Sequence, residues 1–341
     1  MEAAVGHTKH NIFQMAAQLT MMNLKSLASE LQGFAGVTRK KQIGDLVRHF
    51  PSFSDQVIAD FGEDAAVIGD GDEVLLFAAD GIWSKLMDAD PEWAGYCAVL
   101  VNIHDIAAMG GWPLAMVDVL SINSPAMAEA VLKGMRTCIE KFKVPIVGGH
   151  LHPDTPYNAL DIAILGKARM DSVILSSTAR PGDVVVAAAD MDGAVHRSFN
   201  VNFDSTTSKG SKALLMQLGS MRELGEGHLV TAGKDISNPG LLGTLGMLLE
   251  ASGVGATIDL DSIPIPEGLN LSSWLKMYPG MGFVVTAGLD KAQEVMAVFR
   301  KRGLTASAIG QITEDRKLVM RSGAEREVLF DFGKECVTGI R

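Results

Sequence analysis

Residues 91 to 109, PEWAGYCAVLVNIHDIAAM, form a helical stretch that is apolar nearly all round, with Ala98, Val99, Leu100, Val101, Ile103, Ile106 and Ala107 spread over every face. Such a helix has no side to offer to water and has to be buried. Pro91 suits its first turn, and Gly110-Gly111 stops it. Short apolar runs around it read as strands, at 74–79, 114–120, 144–147 and 160–166, with a helix over 126–142. The run at 144–147 leads into a Gly148-Gly149-His150 turn. Ala179-Arg180-Pro181-Gly182-Asp183 then reads as a linker turn that opens a second unit. That unit has strands at 184–189, 256–260, 282–287 and 306–312, and helices near 208–224, 240–251 and 290–302. The expectation is an α/β protein in two halves: a helical arm with a flexible Gly/basic segment over 1–50, a first domain over 51–172 and a second over 173–341.

With 341 residues the chain is long enough for two domains of ordinary size. It is 47% hydrophobic but only 6% aromatic, with 36 Gly and 18 Met, so its core is built from aliphatic residues and Met between glycine turns. A net charge of -10 argues against a nucleic-acid partner, which needs a basic footprint. It leaves ATP open, because a cation can bridge an acidic site to a polyphosphate. Cys97, Cys138 and Cys336 stand far apart without a CxxC pair. That excludes a disulfide scaffold or a cysteine zinc site and fits a reducing, cytoplasmic setting. The uncharged stretch 11–24 contains Gln14, Gln18, Thr20 and Asn23, falls short of the ~20 apolar residues of a span, and lacks a cleavage signature. It reads as an amphipathic helix, so no membrane partner is expected.

The chemistry-bearing residues cluster where strands and the buried helix end. Glu63-Asp64 lies in a loop before an apolar run, Asp80 ends a strand, and Asp105 sits mid-helix one turn from Asn102. A buried carboxylate has to find a cation or donors, so Asp105 demands a partner. Three such carboxylates can jointly hold Mg²⁺, while spacing alone leaves helix caps and structural hydrogen bonds open. His150 and His152 form an H-x-H pair that fits half a metal site, a phosphate contact or polar loop residues. In Lys234-Asp235-Ile236-Ser237-Asn238-Pro239-Gly240 the following helix can present N–H groups to an anion, or Ser237 or Asn238 can simply cap it. No G-x-x-x-x-G-K-[ST] is present, which excludes a P-loop NTPase. Arg39-Lys40-Lys41 follows a glycine-rich segment and fits a phosphate-closing lid or a solvated helix start.

Eight blocks in order resemble one superfamily: GEDAA (62–66), AAD (78–80), NIHDIAAMGG (102–111), VGGH (147–150), ARPGD (179–183), KDISNPGLLG (234–243), GATIDLDSIPI (255–265) and IGQIT (309–313). It contains aminoimidazole ribonucleotide synthetase, thiamine-monophosphate kinase, selenophosphate synthetase, formylglycinamidine synthetase and HypE, and the nearest look is the thiamine-monophosphate kinase. The resemblance implies a PurM-like pair of α/β domains, with the first pairing across a homodimer to close a β-barrel. It also implies ATP in a cleft lined by both halves, with Mg²⁺ on aspartates. On those motifs Asp64, Asp80 and Asp105 are the expected metal ligands, joined by His150, and Mn²⁺ is an alternative ion. Gly62, Glu63, Asn102, Gly148, Gly149 and Asn238 are expected on the nucleotide side, with Asp105, His150, Asp235 and Lys40 as catalytic groups.

Three departures stand out. His150 replaces the aspartate of GGDT, Asn238 replaces the second aspartate of IDLSDGL, and residues 279–285 read PGMGFVV in place of the GGEDYEL block. These move the expected acceptor away from thiamine phosphate, toward a branch related to aminoimidazole ribonucleotide synthetase. The expected activity is use of the γ-phosphate of ATP to activate a small metabolite. Loss of two carboxylates motivates the alternative of a nucleotide-binding scaffold without turnover.

Overall fold

The computed structural model describes residues 23–51 and 53–340. Nearly all of the expected helix over 11–24 lies outside them.

The chain enters through α1 (Leu24–Gln32), α2 (Ala35–Thr38), a 3-10 turn at Arg39–Gln42 and α3 (Ile43–Val47). Asn23 caps α1 by accepting from Ser26 N–H. Leu24, Leu27, Ala28 and Leu31 repeat at helical spacing and bury one face. This face packs into the core of the second half, and Gln32 Nε2 donates to Leu329 O at 2.6 Å.

The first sheet is built from β1 (Val57–Ala59), β2 (Ala66–Asp70), β3 (Glu73–Gly81), β4 (Trp112–Ser121), β5 (Ile146–His152) and β6 (Ala159–Arg169). Its order is β1-β2-β3-β6-β4-β5. Three helices accompany it: α4 (Ser84–Ala89), α5 (Pro91–Ala108) and α6 (Pro125–Phe142). α6 makes the crossover that lets β4 and β5 run parallel. In β6, Leu160, Ile162, Ile164 and Ala168 point into the core while the intervening residues do not. The Gly148-Gly149-His150 segment expected as a turn is part of β5, because its backbone stays paired with Val117, Asp118 and Val119.

The second half contains, in order, β7 (Val184–Ala189), β8 (Ala194–Val195), β9 (Asn202–Asp204), α7 (Ser211–Glu226), β10 (Ala232–Asp235), α8 (Gly240–Ser252), β11 (Gly255–Asp259), α9 (Leu271–Lys276), β12 (Tyr278–Pro279), β13 (Gly282–Ala287), α10 (Ala292–Lys301), β14 (Thr305–Thr313), β15 (Lys317–Ser322) and β16 (Glu325–Asp331). Its main sheet runs β10-β13-β7-β14-β11-β15-β16, and a small sheet runs β12-β9-β8. β7 reads VVVAAA because both of its faces are covered. Val184, Val186 and Ala188 join the core that holds α5, while Val185, Ala187 and Ala189 join the core that holds α8.

The all-apolar stretch is α5, wedged between the first sheet and the second half. Asp90 caps it by accepting from Trp93 N–H at 3.1 Å, with Pro91 in the first turn. α8 is buried along almost its whole length, and Gly240 opens it at φ +71 where a Cβ would lie 2.0 Å from Leu275 O.

Residues 337–340 form a strap held by one buried acid. Glu250 on α8 is 3% exposed and accepts from Thr338 N–H at 2.7 Å, Thr338 Oγ1 at 2.6 Å, and the N–H groups of Val337 and Gly339 at 3.3 Å. Gly44 N–H donates to Thr338 O at 2.8 Å, so α3 clasps the strap from the other side.

Candidate active site

A cavity of about 860 Å³ opens between the two halves, walled by α2 and the 3-10 turn, the loop before β2, the end of β3, α5, the end of β10 and the strap. Three of its carboxylates come from separate elements. Asp64 sits in the loop before β2, Asp105 on α5 and Asp235 at the end of β10. They offer oxygens that all lie within 4.8 Å of one another. Lys234, one residue before Asp235, pairs with Asp64 Oδ1. Asp64 Oδ2 is buried and has no partner among the described residues.

Burial and crowding set the charge state here. Burial pushes Asp105 well above the usual carboxylate range, and the charges of Asp80, Asp235 and Asp64 push the same way against Lys234. Burial, then the charge of Asp64, raises Asp235 to about 8, opposed by Lys234 and Lys40. Asp64 is also raised by burial, with Lys234 pulling it down. Burial lowers Lys234, yet the charges of Asp64 and Asp235 outweigh it and leave the ammonium above its ordinary value. An orphaned carboxylate oxygen and an all-oxygen donor set fit a hard divalent ion such as Mg²⁺ or Mn²⁺.

The expected site residues fall into two groups. Lys40, Gly62, Glu63, Asp64, Asp80, Asp105, Asp235 and Asn238 all line the cavity. Within this group Asp235 shares the three-carboxylate cluster with Asp64 and Asp105, a place expected for Asp80. Asp80 stands beside the cluster at the end of β3. Asn102 is fully buried and structural: its Oδ1 accepts Asp80 N–H at 3.3 Å and its Nδ2 donates to Ala98 O at 2.8 Å, tying α5 to β3. Glu63 accepts Ser176 N–H, and Asn238 Oδ1 is buried without a partner among the described residues.

Gly148, Gly149 and His150 stand apart. Asp80, Ile162, Asp118 and Gly149 form one cross-strand row. Three interstrand steps separate its ends, roughly 14 Å. His150 lies in the next row, with Val119, Asp161 and Gly81, and so on the opposite face of the sheet from Asp80. The expectation of a His150 ligand beside Asp64 and Asp105 is therefore not met within one chain.

Several lining residues carry no sequence signal of their own. Lys234 alternates with Asp235 on a strand, which ordinarily sends neighbours to opposite faces, but at the strand end both line the cavity. An aromatic wall is formed by Trp83, Phe199 and Tyr278, with Trp83 and Phe199 edge-to-face at 5.8 Å. Arg39 and Lys40 line the cavity from the folded 3-10 turn, and the Arg39 guanidinium lies 4.6 Å over the Trp83 ring. Thr338 and Ile340 of the strap complete the wall.

Residues 62–168 match the model of the AIR synthase related protein N-terminal domain, and residues 180–323 match that of its C-terminal domain. The chain belongs to the AIR synthase related family. An uncharacterized protein of Methanocaldococcus jannaschii is 46% identical over 324 residues, covering 93% of this chain and all of that one. The phosphoribosylformylglycinamidine synthase subunit PurL of Methanopyrus kandleri is 26% identical over 301 residues, covering 82% of this chain and 42% of that one. Among solved structures, T. maritima PurL complexed with ATP superposes with a TM-score of 0.74 at 20% identity, over 89% of this chain and 51% of that chain. The family member therefore has the PurM-like two-domain fold, and it spans about half the length of the PurL chains it matches. Among the described residues no helix is long and apolar enough to cross a membrane.

Proposed function

We propose that this chain is an ATP-dependent, Mg²⁺-requiring enzyme that uses the γ-phosphate of ATP to activate a small metabolite, by phosphotransfer or a ligase-type step. One observation carries this reading: Asp64, Asp105 and Asp235, from elements of both halves, converge in a single cleft. That convergence supports a site where a cation joins the two domains to a polyphosphate. Asp64, Asp105 and Asp235 would hold the ion, which when bound neutralises charge on the phosphate oxygens. Lys40 lines the same cavity, forms no ion pair within 4 Å among the described residues, and is placed to donate to phosphate. The Trp83–Phe199–Tyr278 wall offers apolar faces to a planar ring. A volume near 860 Å³ lies at the upper end of small-molecule pockets, which suits a nucleotide with a second small substrate. Because burial raises both Asp105 and Asp235, a cation binding there competes with protons for their oxygens.

The same reading includes a homodimer. Ala78 and Met116, on the strands expected to pair, face the chain's own core at 9% and 1% exposure. The other side of the sheet presents Phe77, Val117, Val119 and Leu165, between 37% and 51% exposed. So many apolar side chains on one face suit burial against a second copy.

Calorimetry of ATP binding tests the proposal. Affinity with Mg²⁺ should exceed affinity with chelator by tenfold or more, and equal affinities would remove the metal from the reading. A screen of small acceptors for ADP release then separates turnover from binding. Tight Mg²⁺–ATP binding with no ADP release from any acceptor would favour the scaffold.

A further inference from the structure

Lys234 lies inside the acidic cluster. Its side chain is 7% exposed and that of its partner Asp64 is 5% exposed. A lysine is tolerated so deep only when paired, and here the partner is also a proposed metal ligand. The ammonium occupies Asp64 Oδ1 while Oδ2 has no partner among the described residues. A divalent ion drawn to Asp64, Asp105 and Asp235 would arrive within a few ångströms of that ammonium, where two cations repel. The lysine backbone cannot retreat, because β10 is laddered to β13 with Lys234 opposite Val284. Only the side chain can swing, and the anion that enters with a metal–nucleotide complex is the phosphate chain.

We infer that Lys234 is a resident counter-cation: it holds Asp64 in the metal-free site, yields that carboxylate to the divalent ion, and then donates to a phosphate oxygen. The inference rests on the ATP- and metal-binding reading of this cavity and adds a residue to it. It makes metal alone a competitor of Lys234, and metal with nucleotide its collaborator. A lysine that merely stabilised the fold would weaken both kinds of binding when removed.

The experiment titrates Mn²⁺ into wild type, Lys234→Met and Lys234→Gln, without nucleotide and with a non-hydrolysable ATP analogue. Making or breaking one charge-assisted hydrogen bond corresponds to about a tenfold change. Mn²⁺ alone should bind both variants about tenfold tighter than wild type, and the Mn²⁺–analogue complex about tenfold weaker. Mn²⁺ alone binding the variants no tighter than wild type would overturn the inference while leaving the metal site intact. Wild type binding neither Mn²⁺ nor analogue would overturn the ATP reading itself, and the inference with it. Should the neutral variants fail to fold, the wild type still decides the matter. Acylation of Lys234 by a small amine reagent, read by mass spectrometry, should rise with Mn²⁺ alone and fall again with the analogue; no rise with Mn²⁺ rejects the exchange.

Discussion

Asp105→Asn separates the two states of the site. Asp105 is 9% exposed, and burial, with the charges of Asp80, Asp235 and Asp64, pushes its carboxyl well above the usual range and so favours the neutral form. Asparagine has nearly the same shape as that neutral carboxyl and exchanges its O–H for an NH2, so the substitution alters about one hydrogen bond, about 1 kcal/mol. The metal-free melting temperature should therefore stay within a few degrees of wild type. The metal-bound state differs, because the ion needs the carboxylate. With Mg²⁺–ATP at a hundred times its Kd, wild type gains about 2.7 kcal/mol of stability. At about 2 °C per kcal/mol for a chain of this size, that is a rise of about 5 °C. Loss of one charged ligand weakens binding roughly a hundredfold. At the same ligand concentration the variant then gains only about 0.4 kcal/mol, or about 1 °C. Paired thermal melts with and without Mg²⁺–ATP read all four values. Equal ligand-induced shifts would refute Asp105 as a ligand, and a metal-free variant already unfolded at room temperature would refute the neutral, buried carboxyl.

Three further outcomes follow from the same geometry. Asp235 titrates near 8 in the fold against an ordinary 3.8, so between those values the unfolded chain has released a proton that the folded chain keeps. Metal-free stability should then fall as pH rises from about 4 to 8, and Mg²⁺–ATP should flatten the slope; a metal-free melting temperature that climbs steadily across that window contradicts the raised carboxyl. Gly44→Ala places a Cβ 2.3 Å from Gly339 O, an overlap that costs about 1–3 kcal/mol and should loosen the strap. Calorimetry should show several-fold weaker nucleotide binding, whereas unchanged affinity would mean that Thr338 and Ile340 do not touch the nucleotide. Light scattering should give twice 36.3 kDa for wild type and 36.3 kDa for the Val117→Lys, Leu165→Lys double variant, and a monomeric wild type at micromolar concentration would end the dimer proposal.

What the sequence shows of this molecule follows from where the signal is local. Helix α5 is legible because an all-apolar stretch has one solution, and Asp105 stands out within it for the same reason. β7 and β13 are legible as unbroken apolar runs bounded by turn residues. β8, β9 and β12 are two or three residues long and carry no periodicity. β15 and β16 mix charged and apolar residues, which hides them among loops. His150 is misplaced because a Gly-Gly pair reads as a turn, whereas here a parallel partner keeps it extended. Lys234 is missed because residues 234–240 read only as the approach to a helix, and it is the pairing of β10 with β13 that sets both Lys234 and Asp235 at the cavity. The strap does have a signal: Glu250 is an acid in an apolar helix, the same anomaly that exposes Asp105. Its partners lie about ninety residues downstream, a separation that local patterning does not span.

The position of that strap fixes when the cavity can exist during synthesis. A chain made from its N-terminus has both family-model stretches complete at residue 323, with both halves of the carboxylate cluster already made. Yet the wall still lacks Thr338 and Ile340, and the four hydrogen bonds to Glu250 have no donors until residues 337–339 emerge. Until then a buried acid on α8 is uncompensated, and α3 has nothing to clasp. A truncation between residues 331 and 337 would thus leave every strand of both large sheets encoded and the pocket open on one side.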